Sequence, residues 1–381
     1  MPTRRKKNTR KLIFLALAIL GISLVIKLSF FFLNYAPVAY QFAFNKEIDL
    51  KKTDDQRVNL LLLGIGGGDH EGPNLTDTII FASIDPKNKK VTMVTLPRDL
   101  WVPALPGRVN SAYAKGEDQG KGKGLMLAKA TAGKVLGQKI DYGFRIDFDG
   151  FTKAVDMMGG LDISVDRTFD DYAYPVVGRE DETCGYPQDA VASLSAQIAT
   201  GSATDADFFP CRFEHLHFEK GLQHVDGVTA LKYVRSRHAL GPEGSDFARS
   251  KRQEKVINAF KDRIFSAGTI LNPLKLVSLF DTFQSSIDTD IQKDEYDDFV
   301  KLAQKMKGAT TKNYVIDTGD VEEGRPELLI NPPVSQDQYG GAWVLVPKAG
   351  PSDYSEIQSY VRCLTENAGC PITPTPSPGK E

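Results

Sequence analysis

Residues 12–35 narrow what this chain can become more than any other stretch: LIFLALAILGISLVIKLSFFFLNY carries one charge, Lys27, in 24 residues. As a helix it would span about 36 Å at ~1.5 Å per residue, against a hydrocarbon core of roughly 30 Å. Lys27 sits toward the C-terminal end, where its ammonium can snorkel to the interface. Ahead of the stretch come Arg4, Arg5, Lys6, Lys7, Arg10 and Lys11 with no acid. Such a cationic start places residues 1–11 in the cytoplasm as a basic tail and everything after residue 35 on the far side of the membrane. A cleaved signal peptide is the competing reading. The stretch is long and no small-x-small site follows a short apolar core, so the sequence predicts an uncleaved transmembrane helix. In either case the body is exported.

Setting those six cations aside from a net charge of −2 leaves −8 on the remainder. An acidic body lacks the basic face that phosphate neutralisation requires, so nucleic acid is excluded as a partner. With 41% hydrophobic and 25% charged residues, the chain is neither a multi-span membrane protein nor wholly disordered. Its four cysteines are Cys184, Cys211, Cys363 and Cys370. Three connectivities are open to them. The pairs 184–211 and 363–370, each closing a short loop-like segment, are expected in an oxidising compartment, and four free thiols in a reducing one are the alternative.

Residues 36–56 read as a polar linker. The run RVNLLLLGI at 57–65 is apolar but for Arg57 and Asn59, the mark of a strand buried on both faces. A Gly-rich loop follows at 64–72. Two β-rich runs, 78–84 and 91–96, are joined by Asp85-Pro86-Lys87-Asn88-Lys89, a hairpin signal. Residues 125–136 predict a helix, 142–148 a strand, and Asp149 a cap for a helix running to Met158 before Gly159-Gly160 stops it. After a strand at 161–165, residues 167–218 read as a polar, aromatic and irregular insertion. Helical spacing marks 226–234, 247–265, 273–283 and 294–307. Late strands are expected at 314–317 and 343–347, a last helix at 354–364, and a disordered Pro-rich tail at 371–381. Strands alternating with helices define an α/β layered sheet.

No GxSxG, HExxH, Walker, CxxC or Cys/His metal spacing is present, and the GIGGGDHEG loop lacks the register of a nucleotide-binding turn. What stands out is arginine placement. Arg98 follows Pro97 after a strand, Arg235 and Arg237 lie two apart past a helix, and Arg249 and Arg252 lie three apart within one, with Gln253 on the face of Arg249. Guanidinium forks recognise phosphate through paired, charge-assisted hydrogen bonds. Two linked phosphoryl groups call for several forks and a divalent cation, which an aspartate such as Asp77 can hold.

Those residues sit in segments that carry a resemblance. NLLLLGIG, NLTDTIIFASIDP, VTMVTLPRDLWV, RVNSAYA, YGFRIDFDGFTKAVDMMGGLDISV, GLQHVDGVTALKYVRSRH and SDFARSKRQ resemble, in order, the motifs of the LytR–CpsA–Psr family of membrane-anchored enzymes that attach cell-wall glycopolymers in bacteria. The resemblance covers roughly 57–265, within an extracytoplasmic catalytic domain of 57–370. It implies a three-layer α/β/α sandwich around a mixed sheet, with an apolar tunnel for a polyprenyl tail. The implied activity is Mg2+-dependent transfer of a glycan phosphate from a polyprenyl-pyrophosphate carrier to peptidoglycan. An exported polyprenyl-pyrophosphate phosphatase or pyrophosphatase, or a non-catalytic lipid- or glycan-binding regulator, would use the same features.

By the same resemblance Asp77 is the Mg2+ ligand, and Arg98, Arg235, Arg237, Arg249 and Gln253 contact the pyrophosphate. Asp99 holds Arg98, and Asp246 orients or deprotonates the incoming hydroxyl. Arg108 and Asn110 occupy the family's Lys-x-Asn position at the edge of the site. One departure is visible. Where many members carry a second metal-binding Asp, two residues after the first strand's glycine, this chain has Gly66, which leaves Asp69 or His70 in the same loop as the substitutes.

Overall fold

The computed structural model describes residues 47–53, 56–68, 72–266, 286–320, 324–333 and 337–366. The expected membrane helix at 12–35, the helix at 273–283, the tail, Cys370 and the loop residues Asp69 and His70 lie outside the described residues. Among the described residues no helix is long and apolar enough to cross a membrane.

Among the described residues the first strands are β1 (Val58–Ile65), β2 (Thr76–Asp85) and β3 (Lys90–Thr95). The short strands β4 (Trp101–Val102) and β5 (Gly107–Arg108) follow, then helices α1 (Ser111–Gln119) and α2 (Lys123–Leu136). Next come β6 (Tyr142–Asp147), α3 (Phe148–Met157), β7 (Leu161–Val165) and β8 (Phe169–Pro175). Helices α4 (Gln188–Ala199) and α5 (Asp205–Phe208) precede β9 (Phe213–Phe218) and β10 (Gly221–Val225). The second half holds α6 (Gly227–Arg235), α7 (Asp246–Ser266), β11 (Ile287–Thr289), α8 (Tyr296–Lys305), β12 (Thr310–Val315), β13 (Leu329–Ile330), β14 (Val346–Pro347) and α9 (Ser355–Glu366).

Six strands form the central sheet in the order β11-β6-β1-β2-β3-β12. It is mixed: β1 runs parallel to β6 and β3 to β12, while the β1–β2, β2–β3 and β6–β11 pairs are antiparallel. Side chains alternate across it. Leu61, Leu63, Ile79, Phe81 and Val94 pack under Ala112 and Tyr113 of α1, Leu125 and Val135 of α2, and Ile357 and Val361 of α9. On the other face Leu60, Leu62, Ile80, Ala82 and Met93 meet Ile257 of α7, and Leu60 also joins Val58, Tyr142 and Leu302 of α8. With helices on both faces, the expected three layers are present. That double burial also explains why β1 is apolar from Leu60 to Ile65.

A second core lies beside the sheet, built from Val155 of α3, Leu161, Ile163 and Val165 of β7, Phe169 and Tyr174 of β8, Leu216 and Phe218 of β9, and Ala230 and Tyr233 of α6. The expectation of an irregular insertion at 167–218 is corrected here. β8 and β9 pair antiparallel, with a register shift between Asp171 and Tyr174. That shift breaks the period-2 pattern by which a strand is recognised. The cap of α3 is corrected as well: Asp147, extended at φ −91°, accepts from the Gly150 amide, and Asp149 lies inside the first turn. The late strand expected at 314–317 begins earlier, at Thr310, because the parallel ladder with β3 starts at Lys90.

Cys184 and Cys211 are joined by a disulfide that ties the loop after β8 to the residues before β9. Cys363 is disulfide-bonded too.

Candidate active site

Antiparallel pairing of β2 with β3 brings the start of one strand to the end of the other, Ile80 lying opposite Thr95. Asp77, the second residue of β2, therefore reaches the sheet edge at which Arg98 emerges. Asp77 is also the extra residue of a bulge, because Gly64 pairs with Thr78 and Ile65 with Thr76. Bulges of this kind re-aim one side chain out of the ladder. The Asp77 carboxylate is 46% exposed, with Oδ1 accepting from Arg98 Nη1 at 2.5 Å. Burial works against the Arg98 guanidinium, but its hydrogen bond to Asp77 and the charges of Asp77 and Asp99 outweigh that, holding it more firmly protonated than a free arginine.

A helical half faces this sheet half. Asp226 caps α6 by accepting from the Thr229 amide, and Gly227 packs where a Cβ would lie 2.1 Å from the Thr152 carbonyl oxygen. This close contact seats α6 on α3 and fixes where its last residue, Arg235, ends up. The Arg235 guanidinium lies 4.3 Å over the Phe148 ring and 5.7 Å from that of Tyr174, a geometry that holds the cation in place. Beyond α6 the chain turns through buried Ser236 to Arg237 and His238. Asp171 of β8, 0% exposed, holds that turn. Its Oδ2 accepts from Ser236 Oγ at 2.7 Å and from the Arg237 and His238 amides at 3.2 Å each, and its Oδ1 accepts from the Ala173 amide.

On α7, Arg249 and Gln253 share the face toward the cavity, and Arg252 turns inward. Arg252 is 2% exposed. Its guanidinium donates to the Tyr233 and Ser236 carbonyls and to both the carbonyl and the carboxylate of Glu243. Burial pulls its pKa below the ordinary value, and Glu243 opposes the shift. Gln253 Nε2 donates to Thr78 Oγ1 at 3.3 Å, linking the helical half to the sheet half.

Between the halves lies a cavity of about 270 Å³ lined by Asp77, Thr78, Arg98, Phe148, Asp171, Tyr174, Pro175, Val234, Arg235, Arg237, His238, Arg249 and Gln253. Arg98, Arg235, Arg237, Arg249, Gln253 and Asp77, separated by up to 176 positions in the chain, thus share one wall-to-wall space. Asp99 stands behind it, 3.4 Å from Arg98 Nε and 3.4 Å from Arg108 Nε.

Two expected edge residues do not line the cavity. Arg108 is drawn away by Asp99, and Asn110 is buried, its amide donating to the Arg98 carbonyl and its carbonyl accepting from the Thr76 amide. Asn110 therefore splints the Arg98 loop to the strand that carries Asp77. Asp246 begins α7, and its side chain lies outside the described residues. Residues that were not legible in the sequence are Asp171, Tyr174, Phe148 and His238. The only available signal for the first two was the β-rich, aromatic FDDYAYP segment, obscured by the register shift.

Among the described residues, the lining sets four guanidinium groups against two carboxylates, a surplus of positive charge suited to a phosphorylated ligand. Oδ2 of Asp171 is engaged by the turn it holds and Oδ1 by the Ala173 amide of its own strand, so among the described lining residues Asp77 is the carboxylate that suits a small, hard cation shared with phosphate oxygens. Magnesium commonly uses one or two carboxylates together with phosphate and water, which the oxygen donors Asp77 and Thr78 fit without a side chain at Gly66.

A mixed α/β sandwich with an arginine-lined anion cavity at one end of its sheet is the class that fold and site define. The sequence model of the LytR_cpsA_psr family matches residues 35–326, and the chain belongs to that family. It is similar to TagV of Bacillus subtilis (strain 168), named a polyisoprenyl-teichoic acid–peptidoglycan teichoic acid transferase, with 28% identity over 282 residues, 72% of this chain and 58% of the relative. The match thus spans less than two thirds of that relative's length. TagU of Bacillus cereus (strain ATCC 14579), of the same name class, is 24% identical over 307 residues, 77% of this chain and 83% of the relative. The crystal structure of B. subtilis TagV superposes with a TM-score of 0.51 at 23% identity, covering 83% of this chain and all of that one. Protein gbs0355 of Streptococcus agalactiae gives a TM-score of 0.54 at 19% identity, covering 84% and 92%. These likenesses establish the fold.

Proposed function

We propose that this chain is a membrane-anchored phosphotransferase that moves a glycopolymer phosphate from a polyprenyl-pyrophosphate carrier to a peptidoglycan hydroxyl outside a bacterial cell membrane. The observation that carries the proposal is the convergence of Arg98, Arg235, Arg237 and Arg249 on the cavity that Asp77 borders. The names of TagV and TagU support the substrate class. The apolar 12–35 stretch supports the anchor, and the Cys184–Cys211 disulfide supports an oxidising compartment.

The chemistry follows from charge. The acceptor hydroxyl oxygen attacks the phosphorus that bears the glycan, and the bond from that phosphorus to the bridging oxygen breaks. The glycan phosphate becomes a diester on peptidoglycan, polyprenyl phosphate leaves, and the hydroxyl proton passes to a base, for which Asp246 is the candidate. Negative charge builds on the bridging and equatorial oxygens as the bond breaks. Guanidinium groups already fixed by Asp77, Asp99, Phe148 and the Asp171-held turn meet that charge without reorganising, so positioning and electrostatics dominate catalysis. Mg2+ bound at Asp77 would neutralise further phosphate charge. Tyr174, its hydroxyl pushed up by burial against the opposing pull of Arg235, stays neutral and closes one wall.

The test is reconstitution of the full chain in vesicles with a polyprenyl-pyrophosphate-linked glycan and peptidoglycan. A covalent glycan–peptidoglycan product with stoichiometric polyprenyl phosphate is expected, dependent on Mg2+ and nearly abolished by Asp77→Asn. Free glycan phosphate without conjugate would make water the acceptor and the protein a hydrolase. Lipid binding without turnover, unchanged by Arg98→Ala, would make it a binding protein.

A further inference from the structure

Adjacent residues of β8 point to opposite sides. Asp171 enters the catalytic cavity, and Asp170 leaves on the outer face, opposite His217 of β9. His215 and His217, two apart, share that outer face. His215 Nε2 lies 2.7 Å and His217 Nδ1 2.8 Å from the same oxygen, Asp170 Oδ1. The other ring nitrogen of His217, Nε2, lies 3.1 Å from Glu219 Oε1, and Thr168 Oγ1 donates to Glu219 Oε2 at 3.1 Å. The His215 ring is stacked on Tyr172 at 4.1 Å and an interplanar angle of 4°. This cluster is of a different kind from the CxxC and Cys/His spacings that the sequence lacks, its third member coming from a different strand 45 positions away.

The arrangement has the parts of a transition-metal site. One ligand atom from each of Asp170, His215 and His217 lies within 4.8 Å of the others. Tetrahedral ligands with bonds of about 2.1 Å lie roughly 3.4 Å apart, so small rotamer adjustments around the shared oxygen suffice. Two imidazoles and a carboxylate match ions of the zinc class far better than Mg2+ or Ca2+. A metal-bound histidine typically hydrogen-bonds a carboxylate through its other nitrogen, as His217 does with Glu219.

We propose that Asp170, His215 and His217 bind one divalent transition-metal ion of the zinc class on the outer face of the β8–β9 ribbon. Glu219 orients His217, and water completes the coordination. The bound ion clamps the strand that delivers Asp171 to the cavity from behind. The site is separate from the Mg2+ position at Asp77 and stands on its own if the proposed transfer activity fails.

The test is calorimetric titration of the metal-stripped full chain with ZnCl2, with MgCl2 as control, and circular dichroism to confirm the fold of each variant. One equivalent of Zn2+ should bind, also in Asp77→Asn. Binding should be lost in the His215→Ala/His217→Ala double variant, and Asp170→Asn should weaken it at least tenfold. Glu219→Gln should weaken it by roughly 10–100-fold. Absence of Zn2+ binding in the wild type, or equal binding in the double variant, overturns the site. Wild-type affinity in Glu219→Gln overturns the orienting role of Glu219.

Discussion

The sheet half and the helical half of the cavity present the same kind of chemistry and are held by different physics. Asp77 and Arg98 hang on a six-stranded sheet, where ladder hydrogen bonds and apolar contacts on both faces fix the backbone many times over. Arg235, Arg237 and Arg249 hang on two helices and a turn whose geometry depends on two buried polar side chains, Asp171 and Arg252. The difference teaches where the site is fragile. In the sheet half a functional residue can be removed with little structural consequence. In the helical half the functional arginines depend on groups outside their own chemistry.

The largest effect is expected at Arg252→Ala. It leaves the Tyr233 and Ser236 carbonyls and Glu243 without their buried donor, which should cost about 3–5 kcal/mol of stability in denaturant unfolding. Transfer activity should fall with it, although Arg252 does not line the cavity. A loss below about 1 kcal/mol would erase the contrast between the halves.

Asp171→Ala comes next. Removing a buried acceptor of three hydrogen bonds around the turn should cost about 1.5–3 kcal/mol, and the Arg237 and His238 amides, which donate to Asp171 Oδ2, should exchange faster with deuterated solvent. Unchanged exchange there would mean that the turn is held by α6 and α7 alone.

Arg98→Ala and Arg235→Ala should each lower turnover at least tenfold, about 1.4 kcal/mol of transition-state stabilisation. Their stabilities should divide along the comparison. Arg98, whose partners Asp77 and Asp99 reach solvent, should cost under about 1 kcal/mol, and Arg235 should also lose its ring contacts. Wild-type turnover in both variants would move the chemistry elsewhere.

The smallest effect belongs to the bridge between the halves. Gln253→Ala removes the hydrogen bond to Thr78 and should cost about 0.5–1 kcal/mol, with a rate loss of less than tenfold. A larger rate loss at unchanged stability would give Gln253 a direct contact with substrate.

Much of the sheet half was legible because its signals are local. The apolar run of β1 and the Asp85–Lys89 turn between β2 and β3 are written within a few residues, and pairing those two strands places Asp77 near Arg98 almost of necessity. The helical half was legible only as residue types. Helix phase places Arg252 and Gln253 on either side of Arg249, yet nothing in the phase says which of the three meets the cavity. Arg108 was read as a site residue on its position alone, and Asp99 turned it away. The β8–β9 ribbon was missed altogether, since its register shift removes the alternation that marks a strand.

The sequence by itself set the expectation of an exported topology and determined the strands β1, β2, β3, β6 and β7, most helices, the arginine inventory and the likeness to a family. These are properties of neighbouring residues, governed by periodicity, capping and composition. Tertiary structure decided that four arginines meet in one cavity, that a bulge turns Asp77 outward, that Asp170 and Asp171 serve opposite faces, and that Arg252 is a clamp and not a ligand contact. Each of these depends on distances between residues tens to more than a hundred positions apart. Such distances are set by how strands and helices pack over apolar faces, and no local pattern encodes them.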